Sequence, residues 1–267
     1  MKNKTVLTFC LILTLIFVSL TFFSCDLLND ILGGEPGNDF FTPNTEQMVA
    51  ALKEALTKGA EKAGSDLSIT GAFYNNMARR IPLPPEAQGI RDKLSNNALS
   101  QAIGGDKMFE DLIHRINSAA EESSKEVGAI FGTAITSMTF SDAAAILKGS
   151  DTEATDYLTD KTTDSLKLAF GPNLNDALNK SIFGDISAQS TWDRIVNPYN
   201  AIVNSNANLL LHWDPVDTSL GDFVLDKALT SVFNEMAEEE KKIRANPMQF
   251  LSDAATKVFN WAKDLIL

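Results

Sequence analysis

The sequence predicts an all-α protein, an irregular multi-helix bundle of about eight to nine helices in a single domain. Three observations carry that expectation. Apolar residues recur at intervals of three and four along most of the chain. Capping residues and Gly or Pro stops cut the pattern into segments. Nothing alternates with period two for long enough to form a sheet.

The first helical stripe is Met48, Val49, Leu52, Leu56, Gly59, Ala60 and Ala63, behind an Asn44 cap. Ile81-Pro82-Leu83-Pro84-Pro85 cannot be helical inside and reads as an extended crossing, with Pro85 in the first turn of the next helix. That helix carries Ala87, Ile90, Leu94, Ala98 and Ala102 and stops at Gly104-Gly105. Asp106 is the expected cap of a long helix from Phe109 to Met138, with a bend where Ser123 and Ser124 interrupt its stripe. Thr139 with Asp142, and Ser150 with Glu153, have the spacing of capping boxes. The helix after Ser150 buries Tyr157, Leu158, Leu166, Ala169 and Phe170, and Gly171-Pro172 is its expected end. Leu174, Ala177, Leu178 and Ile182 predict a short helix. Trp192, Ile195, Tyr199, Ile202 and Val203 predict another, with a break at Pro198. Leu209 to Trp213 leads into a turn at Asp214-Pro215. Ser219 with Asp222 caps a helix bearing Leu225, Leu229, Val232, Phe233, Met236 and Ile243. Asn246-Pro247 starts the last helix, with Leu251, Ala255, Val258, Phe259, Ala262, Leu265 and Ile266 on its inner face.

Ahead of the helical domain stands an export leader. Lys2 and Lys4 precede an apolar run from Val6 to Phe23, and Ser24-Cys25 closes it. This end resembles the bacterial lipoprotein class at Phe22-Phe23-Ser24-Cys25, which implies cleavage before Cys25 and lipid on its sulfur. The Phe pair departs from the usual Leu and small residue and resembles the relaxed form of the signal in spirochaetes. The competing reading is an uncleaved membrane helix, for which the run is about long enough. The expected division is residues 1–24 as signal peptide, 25–44 as a Gly-, Pro- and Asn-rich tether after the lipidated cysteine, and 45–267 as the helical domain. Cys10 lies in the leader, so the mature domain has no cysteine for a disulfide, nucleophile or metal site.

Removing residues 1–24 removes two lysines and no acid. It leaves 21 basic residues against 35 acidic ones, a net charge of −14. Such a chain repels phosphate backbones, so no nucleic-acid partner is expected. Membrane attachment falls to the anchor, and two or three acyl chains on one cysteine suffice for it. The expected location is the cell envelope, with the domain facing the periplasm or the cell surface.

Several segments together resemble the bacterial "domain of unknown function 4197" family. They are Leu52-Lys53-Glu54-Ala55-Leu56, Ile81-Pro82-Leu83-Pro84, Met138-Thr139 with Asp142-Ala143, and Ile146-Leu147 with Gly149. Ala154-Thr155 with Tyr157, Lys227-Ala228-Leu229, and Ala237-Glu238-Glu239-Glu240 with Ile243-Arg244 and Pro247 continue the series. The likeness runs from about residue 48 to the end and loosens from 175 to 215. The resemblance implies an exported helical protein and carries no activity.

Few constellations offer chemistry, and no catalytic residue or cofactor is expected. His114 and His212 are the only histidines, without metal-ligand spacing, and no metal site is assigned. Asp214, Asp217 and Asp222 lack the alternating Asp loop of a calcium site. No Gly-x-Ser-x-Gly elbow and no phosphate loop is present.

The carboxylates Glu238, Glu239 and Glu240 precede Lys241, Lys242 and Arg244. Glu238 with Lys242, and Glu240 with Arg244, are i,i+4 pairs of a solvated helix end. The stripe through Leu229, Phe233 and Met236 also lands on Glu240, which would turn it toward the core. A buried carboxylate requires a partner, supplied by Arg244 or by Arg79 or Arg80 at the proline crossing. A catalytic acid or base would need a second carboxylate in a cleft.

Met and Phe on inner helix faces suit either ordinary packing or a cavity for an apolar ligand. The leading expectation is a non-enzymatic envelope module that binds a protein partner or an apolar or lipid ligand. A structural accessory lipoprotein and a carboxylate-dependent hydrolase are the alternatives.

Overall fold

A computed structural model describes residues 41–94 and 105–265, which lie almost wholly in one compact unit beginning at Thr42. The leader, Cys25, the tether as far as residue 40, Ala98, Ala102 and Ile266 lie outside the described residues. The order is α1 (Thr45–Leu67), α2 (Pro85–Leu94), α3 (Gly105–Ser123), a 3-10 turn (Ser124–Glu126), α4 (Val127–Ser137), α5 (Ala143–Lys148) and α6 (Glu153–Asn179). It continues with α7 (Ala188–Val203), α8 (Asn208–Leu211), α9 (Leu220–Ala245), α10 (Pro247–Phe250) and α11 (Asp253–Asp264). Nine of these have six residues or more, α8 and α10 are single turns, and no strand occurs among the described residues. The all-α class holds.

Helix α1 is the centre, with α4, α9 and α11 packed on it. Its buried face is Ala51, Leu52, Ala55, Leu56, Gly59, Ala60, Ala63, Gly64 and Leu67, a face of mostly small residues that lets neighbours come close. At Gly64 the approach is tightest. A methyl there would sit 3.2 Å from Ser124 O and from Val127 Cβ, and 3.3 Å from Gly128 N. Asn44 and Gln47 form a reciprocal capping box at the start of α1. The bend expected at Ser123-Ser124 is the 3-10 turn, where both hydroxyls donate back to the Ala120 carbonyl and compete with the α ladder.

Buried polar side chains on α3 hold the extended crossing. Asn117 accepts from Ile81 N–H (2.9 Å) and donates to the carbonyls of Ile81 (2.9 Å) and Ile113 (2.7 Å). Glu121 accepts from the amides of Phe73 and Tyr74. The non-helical segment between α1 and α2 therefore has its inner amides satisfied by side chains instead of a ladder.

Several local expectations are corrected. Helix α6 does not end at Gly171-Pro172 but runs on to Asn179. Phe170, Leu174, Ala177 and Leu178 are buried on both sides of the proline, and the carbonyl that loses its donor belongs to exposed Leu168, where water can serve. The separate short helix is thus the end of α6, and Ile182 lies outside it, partly exposed. Pro198 likewise sits inside α7, with exposed Arg194 four residues before it. Asp142, not Thr139, caps α5 by accepting from Ala145 N–H. At the start of α6 Ser150 donates both its amide and its hydroxyl to Glu153, so only the acid's half of the box forms. Helix α3 begins at Gly105, with Asp106 already in its first turn. The last helix is split. Pro247 opens the single turn α10, the chain extends at Leu251, and Ser252 caps α11 through Ala255 N–H. Leu265 is mostly exposed.

Candidate functional site

Glu240, on the inner side of α9, is 4% exposed and meets the first turn of α6. Ala154 N–H donates to Oε1 at 3.0 Å, Thr155 N–H to Oε2 at 2.8 Å, and the Thr155 hydroxyl to Oε2 at 2.7 Å. Negative charge at a helix N-terminus satisfies its orphan amides and opposes its dipole. One turn further along α9, Arg244 grips Oε1 with Nε at 2.8 Å and Nη2 at 2.7 Å. The same guanidinium donates to the carbonyls of Leu147 (2.8 Å) and Ile146 (3.1 Å) at the end of α5. A chain of charge-assisted bonds therefore runs from the C-terminus of α5, through Arg244 and Glu240, to the N-terminus of α6.

Arg79 and Arg80 do not join it. Arg79 pairs with Glu235 of α9. Arg80 lies over the Tyr74 ring, 4.4 Å from its centroid, and 3.6 Å from Glu110. The expected Glu238–Lys242 pair is replaced by two i,i+3 pairs, Lys241–Glu238 at 2.6 Å on the exposed side of α9 and Lys242–Glu239 at 3.0 Å with Glu239 itself buried. The hydrogen bond from Lys241 holds the Glu238 carboxyl below its ordinary value, and the lysine is raised in return. Glu239 raises Lys242 in the same way.

Beside Arg244 opens a pocket of about 270 Å³, between the end of α5, the end of α9 and α11. Leu147, Ala245 and Phe259 give it an apolar wall, and Lys241, Arg244 and Lys263 give it positive charge opposite Asp151. The fully buried phenylalanines Phe73, Phe109, Phe131 and Phe170 belong to the core instead. Chemically, Glu240 has no position free for proton transfer, because each oxygen is already engaged by at least two donors. Among the described residues no group of three or more His, Cys, Asp or Glu converges as a metal site. His114 is stacked against Phe183 at 3.6 Å between centroids, with Tyr74 at 4.2 Å. His212 is exposed and takes a left-handed conformation, φ 49°.

A second feature went unread in the sequence. Leu209, Leu210 and Leu211 form the single turn α8 and are 74%, 87% and 40% exposed. Asn208 fixes its base, donating to Trp213 O at 3.0 Å and accepting from Trp213 N–H at 2.7 Å. Asn200 makes the same two-way clamp on Val216, at 2.7 and 2.9 Å. Trp213 stacks on Tyr199 at 5.4 Å, and Lys93 Nζ donates to the Tyr199 hydroxyl at 3.0 Å. Three adjacent leucines signal apolarity, but only tertiary structure shows that nothing in the described fold covers them.

The described residues thus define an all-helical domain whose buried charges tie helices together. Residues 42–260 match the family described as protein of unknown function (DUF4197), and the chain belongs to that family. No curated protein and no solved structure matches the chain. Among the described residues no helix is long and apolar enough to cross a membrane.

Proposed function

We propose that this chain is an exported lipoprotein, held to a bacterial membrane by lipid on Cys25, and that its helical domain is a non-enzymatic binding module of the envelope. The cationic leader, apolar run and Ser24-Cys25 junction support the anchor. The observation that favours binding over turnover is the saturation of Glu240. The best-placed buried carboxylate spends both oxygens on four donated hydrogen bonds and the ion pair with Arg244, and serves as a tie between helices. The pocket beside it suits an amphiphile, with a short apolar body against Leu147 and Phe259 and an anionic head between Lys241 and Lys263.

The test uses the full chain, expressed with its leader in a bacterium. Labelled palmitate should enter the wild-type protein and not the Cys25→Ser variant. Native mass spectrometry after gentle extraction should then show a co-purifying mass that partitions into organic solvent and is lost in Lys263→Glu. Absence of label counts against the anchor. A clean apo mass counts against an amphiphile from that host and leaves a protein partner as the ligand to seek by cross-linking.

A further inference from the structure

We infer that the leucine turn α8, with Trp213, Tyr199 and Lys93 behind it, is a membrane-docking surface that seats the domain on a lipid bilayer in one orientation. Three observations converge on lipid as the occupant. First, the apolar side chains are displayed rather than left over. The two asparagine clamps fix the backbone on both sides of the turn, so Leu209 and Leu210 stand out on a braced support. Second, residues 195–213 contain no Asp, Glu, Lys or Arg, within a chain of net charge −12. An apolar turn entering the headgroup layer must itself carry no acid, and this one carries none before Asp214. Third, an accessible tryptophan and a lysine stand beside the leucines, the residue types of a membrane interface. Trp213 is half-buried, the buried ring of Tyr199 stacks beneath it as a support, and exposed Lys93 lies 5.5 Å from each ring centroid. Aromatic rings favour headgroup level, and a lysine there meets lipid phosphate.

A turn of four residues reaches only the boundary between headgroups and acyl chains, as interfacial anchors do. It cannot hold a protein at a membrane alone, and here it has no need to. The inference rests on the lipid anchor proposed above, which keeps the domain close and makes docking effectively intramolecular. The 16 residues between Cys25 and Thr42 span at most about 55 Å when extended. That exceeds the roughly 45 Å width of a domain of this size. The anchor therefore permits any face to meet the bilayer, and the leucine turn selects one.

The test places an environment-sensitive fluorophore at Leu210→Cys in the full chain with Cys10→Ser, extracted and reconstituted into phosphatidylethanolamine–phosphatidylglycerol vesicles. The control is Leu168→Cys, an equally exposed leucine beside the Lys167–Asp226 ion pair on α6. Both positions are exposed, so neither change disturbs the core. The expected result is blue-shifted emission at 210, quenched by nitroxide carried on the lipid chains, with neither effect at 168. Water-like emission at both positions overturns the inference. So does a blue shift at 210 without lipid-borne quenching, which would mean a protein covers the turn. Palmitate labelling is scored on the same sample. An unlabelled chain counts against the anchor, and the fluorophore at 210 is then read in the chain that also carries Cys25→Ser, on the same vesicles added from outside, where quenching still supports docking and its absence still overturns it.

Discussion

Arg244 and Glu240, one helical turn apart on α9, join the end of α5 to the beginning of α6 through contacts 97 and 86 residues away in sequence. Helix α9 thereby holds two helices that share no long interface of their own. Breaking such a pair from one side leaves a buried charge without compensation. Glu240→Ala should cost roughly 3–5 kcal/mol in urea unfolding, because it strands Arg244 and orphans the amides of Ala154 and Thr155. Glu240→Gln, which keeps an acceptor but no charge, should fall between this and wild type. An unchanged midpoint for both variants would mean that the linkage contributes nothing.

Asn117 carries a comparable load with no charge. Its amide is fully buried and serves both polar groups of Ile81. Asn117→Ala leaves that peptide unit unsatisfied inside the protein, at about 2–4 kcal/mol. Amide hydrogen exchange should show the loss first at Ile81 and in the adjoining crossing. Uniform loosening across all helices would contradict a local clamp.

Two glycines should respond to alanine with opposite signs. Gly132 lies within α4 with open space where a methyl would go, so Gly132→Ala should stabilise by about 0.5–1 kcal/mol through helix propensity alone. Gly64 gains the same propensity but drives its methyl toward a carbonyl oxygen, a backbone amide and a β-carbon. These atoms cannot swing away, and overpacking of this kind costs about 1–3 kcal/mol. Gly64→Ala should therefore destabilise on balance. Thermal melts of the two variants decide it, and a rise for Gly64→Ala would mean that α1 and α4 can move apart freely.

The helical class was legible because periodicity is averaged over whole segments, and the bend at Ser123-Ser124 was legible because both hydroxyls interrupt an apolar stripe. The inward turn of Glu240 could also be read, since the register of Leu229, Phe233 and Met236 falls on it. Its partners on α6 could not, because they lie far away in sequence. Asn117 and Glu121 carry no signal at all, each being a single polar residue on a mostly apolar face. The leucine turn was visible as composition and invisible as a surface, since four residues are too few to show a period.

Pro172 is the clearest case in which packing overrides local preference. Proline inside a helix removes one donor and crowds the preceding turn, at about 3 kcal/mol or more. The chain nevertheless stays helical, because Phe170 and Leu174 are fully buried on either side. The proline ring itself is exposed and contributes nothing to the core. Pro172→Ala should therefore restore a hydrogen bond to Leu168 O without opening a cavity. Relief of the proline penalty is partly offset by about 0.4–1 kcal/mol from the looser unfolded chain. The expected net gain is roughly 1–2 kcal/mol, read as a higher urea midpoint with an unchanged slope. A loss would show that the proline's distortion of α6 is needed to aim its second half at the core.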